Sequence, residues 1–342
     1  MTRIRLVVLG LGLCLGAAGT MSVHAEEPPA SFTMVDATCE ATRTQEVTAA
    51  LQDLVKTAAL GACVTAESAQ GQALIAQRQP HTLPLVLIDR SIEQHPQFQP
   101  LLRSNVIVPI TNGYQVAEGR LRVPSGLFLI GQRHVPRQLD VFVMALCPFG
   151  QTAQRALAEH LKTHQNLPVK VRTHYIVNAT KYGICGLHGE AEVTENIRQL
   201  LIQQRHPDRF WDYLIARLSN KSFEQAAEAV GLKPAAITKR EQHEGVSLLR
   251  HDAELTQQLR IGASPTLLWE NQYLLGSLQD LKTREGFLDL VIPPQPTGRC
   301  GAGSMAVPPI PPATKALQPA NSPTPNPTGQ SAPPAGPQTT YQ

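Results

Sequence analysis

Residues 139–150 read Leu-Asp-Val-Phe-Val-Met-Ala-Leu-Cys-Pro-Phe-Gly, and this stretch constrains the chain more than any other. An apolar run rich in β-branched residues ends in Cys147, and Pro148 opens a helix predicted over 151–163. Such a strand–cysteine–helix junction aims free backbone N–H groups and the positive end of the helix dipole at the sulfur, which favours thiolate over thiol. Pro148 suits the first helical position, where its missing N–H has no partner to lose. Cys147, with Pro148 and Phe149 beside it, is therefore the candidate nucleophile. The competing reading is an inert cysteine buried at a strand end.

At 342 residues the chain is long enough for two domains with extensions. A net charge of +3, with no dense basic stripe, gives no reason to expect a nucleic-acid partner. The histidines and cysteines have no zinc-site spacing, and no glycine-rich phosphate loop is present, so neither metal nor cofactor is expected. The first 25 residues have the order of an export signal: Arg3 and Arg5, an apolar run over 6–18, then Val23-His24-Ala25 as a cleavage site. That run is shorter than the roughly 20 residues of a spanning helix. Leu13 ahead of Cys14 argues against lipoprotein processing. A periplasmic or secreted product with no stable membrane span is expected. Removing Cys14 leaves Cys39, Cys63, Cys147, Cys185 and Cys300, an odd number that requires at least one unpaired or intermolecular thiol.

Two α/β units are predicted after the signal. The first, over 31–132, has a strand at 32–36, then Cys39. A helix follows with Val47, Leu51, Leu54 and Val55 on one face. Next come a strand near 62–64, a helix near 71–77, and a strand at 85–89 introduced by Pro84. The second unit, over 138–291, repeats this order: strand, Cys147 helix, and a strand over 169–177. A helical block over 190–259 is followed by Ser264-Pro265-Thr266, which leads into a strand at 266–269. A return strand at 273–275 and a closing helix over 278–290 complete it. From 292 to 342 proline, glycine, serine and threonine dominate, a composition expected of a disordered tail.

This order resembles the thioredoxin superfamily, with a helical insertion in the second unit as in the DsbA group. Within it, the second unit is most similar to gamma-interferon-inducible lysosomal thiol reductase and its relatives. The family signature C-Q-H-G-x-x-E-C-x-x-N-x-x-x-x-C is met at His188, Gly189, Glu192 and Asn196, whereas Gly186, Val193 and Leu201 stand where it has cysteines. The segment Phe210-Trp211-Asp212-Tyr213-Leu214 and Ser264-Pro265-Thr266 also fit. The resemblance covers 139–290, and the matching positions are read as structural. It implies a peptide groove beside the nucleophile, formed by Ser264, Pro265 and Thr266, with Pro265 cis.

The departures are as informative as the matches. Gly150 stands where a C-x-x-C pair has its second cysteine, and Cys39-Glu40-Ala41-Thr42 in the first unit likewise keeps one cysteine. Release of a mixed disulfide on Cys147 then falls to Cys185, an external small thiol or protein reductant, or a second substrate cysteine. Cys185 is a candidate resolving thiol or a partner for Cys300. Cys39 and Cys63 either pair with each other or mark a degenerate redox position. His188 is read as fixing the loop ahead of the 190 helix, with Glu190, Glu192 and Glu195 suiting that helix's dipole. The expected function is monothiol disulfide exchange on cysteine-containing or unfolded exported proteins. A non-catalytic thioredoxin-fold binding or chaperone module is the alternative.

Overall fold

In a computed structural model, described here for residues 29–297, the chain is mixed α/β with two large sheets, a two-stranded hairpin sheet and a helical block. The predicted signal, its cleavage site, Cys14, Cys300 and most of the predicted tail lie outside the described residues.

The first half runs β1 (Ala30–Asp36), α1 (Ala41–Gln52), β2 (Ala58–Thr65), α2 (Ala69–Arg78), β3 (Thr82–Leu83) and β4 (Leu85–Ile88). A single 3₁₀ turn, α3 (Phe98–Arg103), and strands β5 (Ile107–Ile110), β6 (Gly113–Val116) and β7 (Leu127–Leu129) follow. Its sheet has the order β2-β1-β4-β6-β5, with β1 parallel to β2 and antiparallel to β4. Val47, Leu51 and Val55 are buried as the helical spacing predicts, although α1 ends at Gln52 and Val55 lies in the turn beyond it.

The second half begins with β8 (Gln138–Val143), α4 (Pro148–Thr163) and β9 (Lys170–Tyr175). A short hairpin, β10 (Asn178–Thr180) with β11 (Gly183–Cys185), leads into the helical block. That block is α5 (Glu190–Arg205), α6 (Pro207–Leu218), α7 (Phe223–Ala229), α8 (Pro234–Arg240) and α9 (Val246–Gln258), with a π-helical turn between the last two. It interrupts the chain between β9 and β12 (Thr266–Trp269), after which come β13 (Tyr273–Leu275) and α10 (Leu278–Leu281). Both halves share one arrangement. A helix links two parallel strands, β1/β2 or β8/β9, and an antiparallel third strand enters after a cis-proline. The cis bonds are Leu83-Pro84 and Ser264-Pro265.

The second sheet, β3-β7-β13-β12-β8-β9, crosses the boundary drawn between the units, because β3 and β7 come from the first half. Phe128 of β7 packs edge-on against Tyr273 of β13. One expectation fails: the closing helix stops at Leu281 instead of continuing to 290. Gly286 adopts φ +90°, a left-handed conformation that ends helical geometry, and Phe287 and Leu290 are buried from an irregular segment. No helix among the described residues is long and apolar enough to cross a membrane.

Candidate active site

Cys147 is the N-cap of α4 and Pro148 takes its first turn, as predicted. Six residues of alternating strand geometry place Leu139, Val141 and Val143 in the main core of this half. Phe142 faces the opposite side, with Met144 and Cys147. The sulfur is fully buried among Phe142, Met144, Ile176, Leu259, Ile261 and Leu268, with Phe149 and Leu187 at the edge of the cluster. It lies 3.7 Å from the carbonyl oxygen of Ser264, the residue before cis-Pro265. The structure thus brings together Cys147, Pro148, Phe149, Ser264 and Pro265.

The junction is held by side chains from distant parts of the chain. The Met144 N–H donates to Ser264 Oγ (2.9 Å), that of Ala145 to Asn196 Oδ1 (3.1 Å), and that of Leu146 to Glu192 Oε2 (3.2 Å). Gln151 Nε2 returns from α4 to the Ala145 carbonyl (2.8 Å). Three successive donors that would otherwise be buried unpaired are therefore satisfied by Ser264, Asn196 and Glu192. Glu192 also accepts from the His188 N–H (3.2 Å), and the His188 ring Nδ1 is 2.5 Å from Glu192 Oε2.

Glu190 and Glu192 stand in the first turn of α5, where an acid suits the dipole, and Glu192 and Glu195 are in addition buried and bind specific partners. Glu192 fixes the loop ahead of Cys147, and Glu195 pairs with Arg217 at 2.9 Å while accepting from Tyr213 and Gln199. His188 does brace this loop, as expected. Two of the signature matches thus act on the geometry of Cys147 from about 50 residues away, through contacts the sequence pattern alone did not assign.

Gly150 has a physical reason to be glycine. A Cβ there would lie 2.6 Å from Ser264 Oγ, 3.1 Å from the Met144 carbonyl oxygen and 3.3 Å from Val143 Cβ. The space for a second active-site side chain is taken by the hydroxyl that binds the Met144 N–H.

The cysteines divide unlike the prediction at one point. Cys39 and Cys63 form a disulfide with Cα atoms 5.9 Å apart, across the start of α1 and β2. Beside it, Arg43 of α1 binds buried Asp36 (2.8 Å) and the Gly126 carbonyl (2.6 Å), so the corresponding junction of the first half is filled by a bridge and an ion pair. Cys185 is exposed on β11 and free, and so pairs with no other cysteine. Cys147, predicted as the free thiolate, is instead disulfide-bonded. Among the described residues the free thiol is Cys185. Thr266, the remaining groove candidate, is half-buried and its hydroxyl donates to the Ala263 carbonyl (2.7 Å), capping the turn that carries cis-Pro265.

Beneath the site lies a group that sequence reasoning missed. His174 on β9 sits between two carboxylates, with Nε2 3.1 Å from Asp140 and Nδ1 2.9 Å from Asp252. Burial opposes a charged ring, but the hydrogen bonds from Asp140 and Asp252 outweigh it and raise its pKa from 6.5 to about 9. Phe142 stacks on the ring at 4.9 Å, and Asp252 also accepts the Tyr175 N–H (2.8 Å). The available signal was Asp140, a charge inside an otherwise apolar strand. Among the described residues the one grouping with metal-ligand potential is His160, His164 and Asp289, at the far end of α4 from Cys147.

No protein-family model and no curated protein sequence matches this chain. Solved structures similar to part of it include oxidised BdbD from Bacillus subtilis, at 17% identity over 45% of this chain and 90% of that one, with a TM-score of 0.35. The thiol-disulfide exchange protein alpha-DsbA2 from Wolbachia pipientis matches at 12% identity, over 45% and 85%, with a TM-score of 0.33. The oxidoreductase NmDsbA1 from N. meningitidis matches at 15%, over 44% and 79%, with a TM-score of 0.32. The strand order, the cysteine-capped helix and the two cis-prolines are consistent with a thioredoxin-like fold, with a helical block between β9 and β12 in its second half.

Proposed function

We propose that this protein carries out thiol–disulfide exchange through Cys147, acting on cysteine-containing or unfolded proteins outside the cytoplasm. The observation that carries the reading is the seat of the sulfur: the N-cap of a 16-residue helix, against the carbonyl that precedes a cis-proline, and already in a disulfide. There the helix dipole stabilises the thiolate both as attacking and as leaving group. The Ser264–Thr266 segment beside it supplies an extended edge for a substrate backbone. The Cys39–Cys63 bridge supports export, since such bonds persist in oxidising compartments. Recycling requires a small thiol or a protein reductant.

Refolding of a scrambled-disulfide substrate tests this with the wild type, Cys147→Ser and Cys185→Ser. Exchange predicts loss of activity only in Cys147→Ser. A second reading, a non-catalytic binding module, draws on the full burial of Cys147 and the filled space at Gly150. It predicts that all three proteins behave alike.

A further inference from the structure

The C-terminal end of α4 gathers side chains whose chemistry the exchange reaction does not use. His160 lies in the last turn and His164 at the C-cap, four positions on, and their rings stack with centroids 4.2 Å apart. Phe287, fully buried, stacks on His160 as well, at 5.4 Å. His160 is itself buried, and its Nε2 donates to the Gly286 carbonyl oxygen (2.7 Å). Asp289, from the same irregular segment, brings Oδ2 to 3.0 Å from His164 Nε2. One ring nitrogen of each histidine and one carboxylate oxygen of Asp289 lie within 4.8 Å of one another.

The hydrogen bonds of His164 decide what this cluster needs. Its Nδ1 is 2.9 Å from the His160 carbonyl oxygen, which can only accept, so Nδ1 carries the ring proton. The Thr163 hydroxyl beside that nitrogen directs its own proton to the His160 carbonyl at 2.8 Å. A neutral ring of this tautomer turns the Nε2 lone pair toward the Asp289 carboxylate, and that contact is favourable only with a cation at Nε2. Metal-binding histidines are oriented in this way, with one nitrogen donating to a backbone carbonyl and the other left as the ligand. Two ligand atoms of a tetrahedral zinc ion lie about 3.3 Å apart, near the 3.0 Å between His164 and Asp289. The end of α4 adds the negative pole of the helix dipole, which also favours a cation. His164 and Asp289 have side chains 38% and 67% exposed, so an ion has a path in from solvent.

We propose that His160, His164 and Asp289 bind one divalent transition-metal ion, with zinc as the representative and water completing its coordination. Imidazole nitrogen selects such an ion over calcium and magnesium, which take oxygen ligands. The ion ties residues 286–289, which leave helical geometry at Gly286, to the C-terminal end of α4. It stabilises the fold from about 24 Å along the helix from Cys147, and takes no part in sulfur chemistry. No stretch of sequence marks the set, because Asp289 stands 125 positions beyond His164.

The test uses the full mature chain, oxidised, without a histidine tag, and carrying Cys185→Ser so that no exposed thiol chelates the metal. Zinc is titrated in competition with a chromophoric chelator, with and without excess calcium and magnesium, and unfolding temperature is followed in parallel. One equivalent is expected to bind, to raise the unfolding temperature, and to resist displacement by calcium and magnesium. His164→Gln and Asp289→Asn, both at solvent-accessible positions, are each expected to weaken binding at least about tenfold. His134→Gln, which removes a histidine paired with Glu270 elsewhere, should leave it unchanged. Binding as tight in His164→Gln or Asp289→Asn as in the parent overturns the proposal, and so does equal weakening by His134→Gln. Less than one equivalent bound, with no rise in unfolding temperature, overturns it too and makes His164 and Asp289 an ordinary imidazolium–carboxylate pair.

Discussion

Adding a single methyl group at residue 150 tests whether Ser264 closes the second active-site position. Gly150 is the third residue of α4, and alanine in place of glycine in a helix is favourable by up to about 1 kcal/mol when space allows. Here the new Cβ would be 2.6 Å from Ser264 Oγ, a hydroxyl held in place by the Met144 N–H. Overpacking of this kind costs about 1–3 kcal/mol, and turning the hydroxyl aside forfeits a hydrogen bond of about 1 kcal/mol. Gly150→Ala is therefore expected to destabilise the wild type by about 2 kcal/mol. Ser264→Ala removes the hydroxyl, leaving the Met144 carbonyl at 3.1 Å and Val143 at 3.3 Å as the nearest atoms. In that background Gly150→Ala should cost about 1 kcal/mol or less. The four proteins of the cycle, measured by urea denaturation with a common m-value, should give a coupling of about 1–3 kcal/mol. Equal cost in both backgrounds would refute the argument that the hydroxyl fills the position. Gly150→Cys should meet the same obstruction and give no gain in exchange unless Ser264 is also changed.

Other outcomes follow from the same contacts. His174 is charged in the folded state up to about pH 9 and near 6.5 when unfolded, so its contribution is complete below pH 6.5 and lost as pH rises through 9. The difference corresponds to about 3 kcal/mol, so the stability gap between wild type and His174→Gln should narrow by about that much from pH 6 to pH 10; parallel curves in urea denaturation would contradict it. Asn196→Ala leaves the buried Ala145 N–H without its acceptor and should cost about 1–3 kcal/mol, while lowering the exchange rate of Cys147; a rate unchanged at full folding would separate the loop from the chemistry. Replacing Cys39 and Cys63 by alanine opens a bridge spanning 24 positions, which should lower stability by about 3 kcal/mol in thermal unfolding without changing exchange at temperatures where the protein is folded.

The parts of this fold that are legible in the sequence are local ones. A strand that ends in cysteine, a proline at the first helical position and a proline ahead of the third strand are each specified within a few residues, and all three stand where the sequence places them. The periodicity of Val47, Leu51 and Val55 likewise reports one buried face. The pairing of β7 with β13 escapes such a reading, because residues far apart meet there in a two-residue register. The same is true of Glu192, Asn196 and Ser264. The sequence marks them as matching positions, but only the folded chain shows that they hold three consecutive N–H groups ahead of Cys147. Periodicity misjudged residues 282–290: Phe287 and Leu290 are buried as helix-like spacing implies, yet Gly286 turns the chain out of helix before them. The state of Cys147 is not legible either, since a dipole argument describes a free thiol and carries no information on whether the sulfur is held in a disulfide.

The most direct test of the central claim is the capture of Cys147 itself. The fully reduced protein is mixed with a substrate disulfide, quenched with acid, and the trapped adducts are mapped by mass spectrometry over the first moments of reaction. Exchange at the helix N-terminus predicts that the early mixed disulfide forms on Cys147, ahead of exposed Cys185, and is absent in Cys147→Ser. Adducts confined to Cys185, with Cys147 unmodified in the folded protein, would contradict it.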